Sequence, residues 1–127
     1  MVQHRLPMLP AAGEVPWRAV VNGTEKELAI ESNAILLDVL RDKAGCLGAK
    51  RGCDMGTCGC CSVLIDGQPR LSCLTLAAEA DGRDITTVEG LADGHHLHPI
   101  QQTPAEYGGS QCGFCSQTFL VVISALL

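Results

Sequence analysis

Four cysteines crowd into the ten residues Gly52–Cys61, which read GCDMGTCGCC, and the 127-residue chain holds eight in all. Thiols at that density hold a disulfide, a zinc ion or a cluster that carries electrons. From Cys53 the spacing is C-x4-C-x2-C, and eleven residues then separate Cys61 from Cys73. The first three match the run of a plant-type 2Fe–2S site, in which four thiolates hold two irons. Such a cluster is dianionic when oxidised and gains a further negative charge with its electron. Buried charge without donors is costly, which gives the glycines a purpose. Gly48, Gly52, Gly56 and Gly59 let a loop turn its backbone N–H groups toward sulfur. Lys50 and Arg51 add local positive charge.

A structural zinc site would use tetrahedral thiolates as well. It usually comes as two separated C-x2-C knuckles, which C-x4-C-x2-C within a glycine loop fits poorly. A disulfide needs an oxidising compartment. The opening stretch MVQHRLPMLPAAGEVP has three prolines and no continuous apolar run of the secretory kind. Folding in the cytoplasm is therefore expected, where eight cysteines favour metal or redox chemistry over disulfides. The longest apolar run, Phe119–Leu127 with one serine, falls well short of the roughly 18 residues of a spanning helix, so no membrane span is expected. Nine Lys and Arg against fourteen Asp and Glu give a net charge of −5 and no basic stripe, which argues against nucleic acid.

The elements that must hold the thiols can be read from period and turn chemistry. WRAVVNGTEKELAI has two short β-rich runs about Asn22-Gly23 and reads as a hairpin. ILLDVLRDKAG changes to a helical period, with Leu36, Leu37, Leu40 and Ala44 on one face and Asp38, Arg41 and Asp42 on another. Gly45 suits its C-cap. Residues 45–61 carry five of the fourteen glycines and read as a functional loop. SVLIDGQPRLSC predicts a second hairpin about Asp66-Gly67, and DITTVEGL a final short strand. Hairpin, helix, loop, hairpin and strand form the order of a β-grasp domain. DGHHLHP at 93–99 is a polar, turn-rich linker, and two helical stretches follow, HPIQQTPAEYGG and CSQTFLVVISALL, broken at Gly108-Gly109. The expected class is α+β: an N-terminal extension over 1–16, a plant-type ferredoxin-like 2Fe–2S domain over 17–92, and the start of a small helical 2Fe–2S-binding domain over 93–127.

With LRDKAGCLGAKRGCDMGTCGCCSVLIDGQPRLSCLTLA, ITTVEGL, HPIQ and QCGFC in this order, residues 18–127 closely resemble the iron–sulfur subunit of the molybdenum hydroxylase, or xanthine oxidase, family. The resemblance implies two 2Fe–2S clusters, one per domain. It also implies a large partner subunit holding molybdopterin-bound molybdenum and, in most members, an FAD-binding subunit. Electrons then cross the clusters between molybdenum and FAD or another acceptor. By the same resemblance Cys53, Cys58, Cys61 and Cys73 are the ligands of the first cluster. Cys112 and Cys115 are half of the second, the one nearer molybdenum, and Gln111 is a pterin contact.

The chain departs from the family in three places. Cys60 and Cys46 stand where alanine and an aliphatic residue are usual, SQT follows Cys115 in place of Thr-Pro-Gly, and no C-x-C pair follows Cys115. Ending on VVISALL without a polar cap reads as a truncated chain, so a continuation carrying two more cysteines is expected. Cys46 and Cys60 read as small buried residues, His95, His96 and His98 as linker, Phe114 as packing, and 120–127 as a buried helix face. No general base, nucleophile or phosphate loop is present, so no catalytic residue is assigned and substrate chemistry falls to a partner. The rival reading is a free-standing ferredoxin-like electron carrier, and a third is a zinc-stabilised interaction module.

Overall fold

The computed structural model describes residues 13–127. The expected N-terminal extension lies mostly outside them. Its last residues do not, because the first strand, β1, already runs over Glu14–Val21. β2 follows over Thr24–Glu31, and the two pair antiparallel from Glu14↔Glu31 to Val21↔Thr24. The turn between them needs two left-handed residues, and Asn22 (φ 51°) and Gly23 (φ 75°) provide them, as in a type I′ turn. The same device joins β3 (Ser62–Ile65) to β4 (Gln68–Leu71), through Asp66 at φ 50° and Gly67 at φ 76°.

β5 (Asp84–Thr86) completes a sheet of order β2-β1-β5-β3-β4. Its pairing with β1 is parallel and its pairing with β3 antiparallel. This is the mixed sheet expected of a β-grasp domain. The strand read from DITTVEGL is shorter than expected, since Val88–Leu91 turns into a 3₁₀ helix. A crowded contact explains the break: a Cβ on Gly90 would sit 2.2 Å from the Asn22 Oδ1. Only glycine lets the chain pass so near the β1–β2 turn.

The helix expected over 36–44 is present in two parts. α1 covers Leu36–Asp38 and continues as a π turn over Val39–Lys43, with the Ala44 N–H donating to the Val39 carbonyl at 2.9 Å. Gly45 at φ 77° ends it, as its residue type predicts. Leu36, Leu37 and Leu40 are fully buried against Trp17, Ile30, Val63 and Ile85, forming one core between helix and sheet. Each such side chain contributes about 1.5–3 kcal/mol by leaving water. Trp17 satisfies its indole N–H at the Ala77 carbonyl, 2.7 Å away, so the core carries no orphan donor there.

Two helices follow the sheet, α2 (Pro99–Glu106) and α3 (Ser116–Ser124). His98 caps α2: its Nδ1 accepts from the Ile100 N–H at 3.3 Å, while its own N–H donates to Gln101 Oε1 at 3.0 Å. The last of the three linker histidines is thus a capping residue. α3 packs on β3 and on Val88–Leu91. The apolar run at its end is less buried than expected. Val121 is 1% exposed, but Phe119 is 63%, Leu126 79% and Leu127 89% exposed. α3 also meets α2, while Phe119, Leu126 and Leu127 stay exposed among the described residues. Phe114 is likewise exposed rather than packed. Among the described residues no helix is long and apolar enough to cross a membrane.

Candidate metal centre

The loop that leaves the π turn is held at its entry by two side chains and one backbone bond. Arg41 Nη1 donates to the Leu47 and Ala49 carbonyls at 3.0 and 2.7 Å. The Gly48 N–H donates to Glu89 Oε1 at 2.6 Å, and the Lys50 N–H to the Cys60 carbonyl at 2.8 Å. Gly48 has no room for a side chain, since a Cβ there would lie 2.3 Å from Val88 Cγ1. Arg51 then spans the loop, paired with Asp38 of α1 and with Asp54 at 2.5 Å. The two carboxylates, Asp54 first, hold the guanidinium still more firmly in its charged form.

Within this frame the chain wraps around the Cys53 sulfur. The backbone N–H groups of Met55, Thr57 and Cys58 point at it from 3.4, 3.3 and 3.4 Å. Asp54 at φ 54° and Gly56 at φ 78° make that wrapping possible. The Thr57 side chain, then the Met55 and Cys58 N–H groups, push the Cys53 thiol down to about 6. Half of it or more is thiolate near neutral pH, the form that binds iron. Gly52 forms the floor: a Cβ there would come within 2.6 Å of Cys58 Sγ.

The other two expected ligands lie deeper. Cys61 is 2% and Cys73 7% exposed. Ser72 binds them together, its N–H and hydroxyl both donating to the Cys61 carbonyl, at 3.3 and 2.7 Å. Burial, then a hydrogen bond with the Cys61 thiol, push the Cys73 thiol up to about 11. The Cys58 N–H thus reaches the Cys53 sulfur, and Ser72 ties the backbone beside Cys73 to Cys61.

This donor set would suit a two-iron cluster held by four thiolates, with the backbone N–H groups on Cys53 turned toward sulfur. It fits a single zinc ion less well. The three loop thiols come as C-x4-C-x2-C and not as two separated knuckles, and His95 and His96 stand exposed in a turn closed by Asp93.

The two extra cysteines are both buried, as expected. Cys46 turns away from the loop, its sulfur accepting from Asn22 Nδ2 at 3.6 Å, and burial followed by the Glu89 charge pushes its thiol up. Cys60 instead stays among the thiols, with its sulfur 3.8 Å from the Cys58 carbonyl. Burial, then a hydrogen bond to the Cys58 thiol, push it up, with Cys115 and Cys61 also nearby.

Cys112 and Cys115 flank a tight turn at Gly113 (φ 78°), and both are exposed, as is Gln111. Thr118, one turn into α3, donates to the Gly59 carbonyl at 3.0 Å and ties this second pair to the first loop. Sequence reasoning missed that contact, and also the polar set Asn22, Thr87 and Glu89. In that set the Thr87 hydroxyl donates to Glu89 at 2.5 Å and accepts from Asn22 Nδ2 at 2.9 Å. The signal available was the Asn-Gly turn facing a Thr-Val-Glu-Gly stretch, but no local rule links residues 65 positions apart.

A family profile described as the 2Fe-2S iron-sulfur cluster binding domain matches residues 20–106. The chain belongs to that family. A second profile, the [2Fe-2S] binding domain, matches residues 87–127. The chain is 46% identical over 108 residues to an aldehyde oxidoreductase of Megalodesulfovibrio gigas, covering 84% of this chain and 12% of that protein. It is 45% identical over 107 residues to the nicotine 6-hydroxylase small subunit of Paenarthrobacter nicotinovorans, covering 84% of this chain and 64% of that one. Among solved structures, quinoline 2-oxidoreductase from Pseudomonas putida 86 superposes with a TM-score of 0.85 at 40% identity, covering 89% of this chain and 70% of that one. The chain thus spans only part of the relatives it matches. As a 2Fe–2S-binding member of the molybdenum hydroxylase family it has the fold and the loop that its cysteine spacing predicts.

Proposed function

We propose that this chain relays electrons in a molybdenum-dependent hydroxylase or dehydrogenase. The relay runs between molybdopterin-bound molybdenum in a large partner subunit and FAD, or another acceptor, in a second partner. One observation carries the reading: three backbone N–H groups of the glycine loop are aimed at the Cys53 sulfur.

Cys53 and Cys58 would hold one iron and Cys61 and Cys73 the other. A bound 2Fe–2S cluster would supply one-electron chemistry at this loop. The chain's own work is to offer thiolates, to turn N–H donors toward sulfur, and to keep water from Cys61 and Cys73. Cys112 and Cys115 would supply half of a second cluster, completed by two cysteines beyond those of this chain, and Gln111 would touch the pterin. We take 14–92 as the ferredoxin-like domain, since it begins with β1, and 93–127 as the beginning of the helical one. All eight cysteines are free thiols, which suits the reducing cytoplasm. The relatives named above act on an aldehyde, nicotine and quinoline, and the pocket that would select this protein's substrate belongs to the large partner.

The test is purification from the native host, with metal analysis and electron paramagnetic resonance (EPR) of the reduced protein. A stable complex containing molybdenum, with about two irons in a rhombic 2Fe–2S signal from the Cys53 loop, is expected. Cys58→Ser removes that signal and leaves any second one. Zinc without iron refutes the cluster. A chain that purifies alone and meets partners only weakly and at low salt is a free-standing carrier instead.

A further inference from the structure

Among the described residues, Asn22, Asp54 and Asp66 take left-handed backbone angles without being glycine. Asn22 and Asp66 each precede a glycine in a hairpin turn, where the paired strands hold them. Asp54 (φ 54°) has no such frame, since Met55 follows it within the loop. A residue with a Cβ is disfavoured in that conformation, because the Cβ crowds the following carbonyl. The side chain of Asp54 is anchored instead. Arg51 Nη1 donates to Asp54 Oδ1 at 2.5 Å, and Nη2 of the same guanidinium reaches Asp38 Oδ1. Asp38 closes α1, whose Leu36 and Leu37 are fully buried, so the far end of this fork rests on the core. The N–H groups of Met55, Thr57 and Cys58, all directed at the Cys53 sulfur, come straight after Asp54 in the chain.

We propose that Arg51 is a positioning residue for the first 2Fe–2S site. By clamping Asp54 to α1 it fixes the left-handed turn that aims three N–H groups at the Cys53 sulfur, and so holds up the reduction potential. The proposal rests on the reading that Cys53 is a ligand. Reduction adds one negative charge, shared by the sulfurs, so donors facing sulfur stabilise the reduced state more than the oxidised one. One electron enters, and no bond to Arg51 or Asp54 is made or broken. A guanidinium suits the task because its planar fork presents separate donors in fixed directions, one to each carboxylate. A lysine ammonium carries the same charge as a single point on a flexible stem.

The experiment uses the protein as it occurs in its host and reads two quantities: hydrogen exchange at Met55, Thr57 and Cys58, and the midpoint of an EPR-monitored redox titration. Arg51→Gln removes both ion pairs, and Arg51→Lys keeps the charge without the fork. In both, exchange at the three amides should quicken about two- to fivefold, the range expected for loss of an exposed ion pair. The potential should fall in both, by up to about 40 mV, which is that fivefold converted for a one-electron couple. Asp54→Gly takes the left-handed angles without a clamp. In its presence neither change at Arg51 should quicken exchange further. Native exchange rates in Arg51→Gln overturn the clamp. The same quickening with Asp54→Gly present also overturns it, because Arg51 would then act by another route than Asp54. A native potential in Arg51→Lys beside a lowered one in Arg51→Gln would make charge the cause and overturn the positioning role. A Cys53→Ser protein that keeps the native EPR signal would overturn the ligand reading and leave the exchange result standing, which separates the two failures.

Discussion

Gly52→Ala separates the stability of the polypeptide from the stability of its loaded site. Gly52 does not lie in the left-handed region, so alanine brings no backbone strain. The added Cβ would meet Cys58 Sγ at 2.6 Å, against an optimal contact of about 3.5–4.0 Å, so one of the two must move by about 1 Å. In the empty chain Cys58 is exposed and its sulfur can rotate away. The cost there should stay within about 0.5 kcal/mol, as for an ordinary surface change. With Cys58 as the proposed ligand, iron would fix the sulfur in the loaded chain, and the overlap becomes an overpacked site costing about 1–3 kcal/mol. That converts to roughly a 5- to 150-fold weaker hold on the cluster, at about 1.4 kcal/mol per factor of ten. The assay compares iron loss to a chelator, followed by visible absorption, with urea unfolding of the iron-free chain. Equal chelator resistance in the variant and the native chain would refute the geometry. So would a large loss of stability in the iron-free variant.

Two further outcomes follow from the loop. In iron-free protein near pH 7, iodoacetamide should modify Cys53 first, since hydrogen bonds push its thiol down to about 6 and thiolate is the reactive form. Cys46, pushed up by burial, should stay unmodified until unfolding, and peptide mass spectrometry after timed quenching reads both. Glu89→Ala strips the acceptor from the Gly48 N–H and the Thr87 hydroxyl. It should cost about 1–2 kcal/mol by urea unfolding, because Glu89 is exposed and water replaces part of the loss. Hydrogen exchange should quicken at Gly48, while the Trp17 indole proton stays protected.

Local signals made most of the fold legible. Asn22-Gly23 and Asp66-Gly67 demand left-handed turns, and both hairpins form around them. The spacing of Leu36, Leu37 and Leu40 identified the buried helical face, and Gly45 its end. The loop that wraps the Cys53 sulfur was legible for the same reason, since it is built from neighbours in sequence. The remainder depends on contacts with no local trace. Nothing in LLDVLRDK foretells a π turn in place of a regular helix. After Thr86 the chain passes so near Asn22 that only glycine fits at 90, and Thr118 reaches back to Gly59 from α3. The burial of 120–127 was overestimated because hydrophobicity states that a face wants cover, not whether this chain supplies it.

The locked side chain of Asn22 also has a bearing on how the protein ages. An Asn followed by Gly is the dipeptide most prone to spontaneous deamidation, because the unhindered Gly nitrogen attacks the side-chain carbonyl carbon and closes a succinimide ring. Here the Asn22 Oδ1 accepts the Thr87 N–H at 2.8 Å, and its Nδ2 donates to Thr87 Oγ1 at 2.9 Å and to the Cys46 sulfur at 3.6 Å. Those bonds fix the carboxamide against Thr87, just past β5, and the rotation that ring closure needs would have to break them. The turn that pairs β1 with β2 is therefore guarded by the fold it helps create. Any loosening of Thr87 would start a slow chemical clock at residue 22, leaving aspartate or isoaspartate beneath the entry to the iron–sulfur loop.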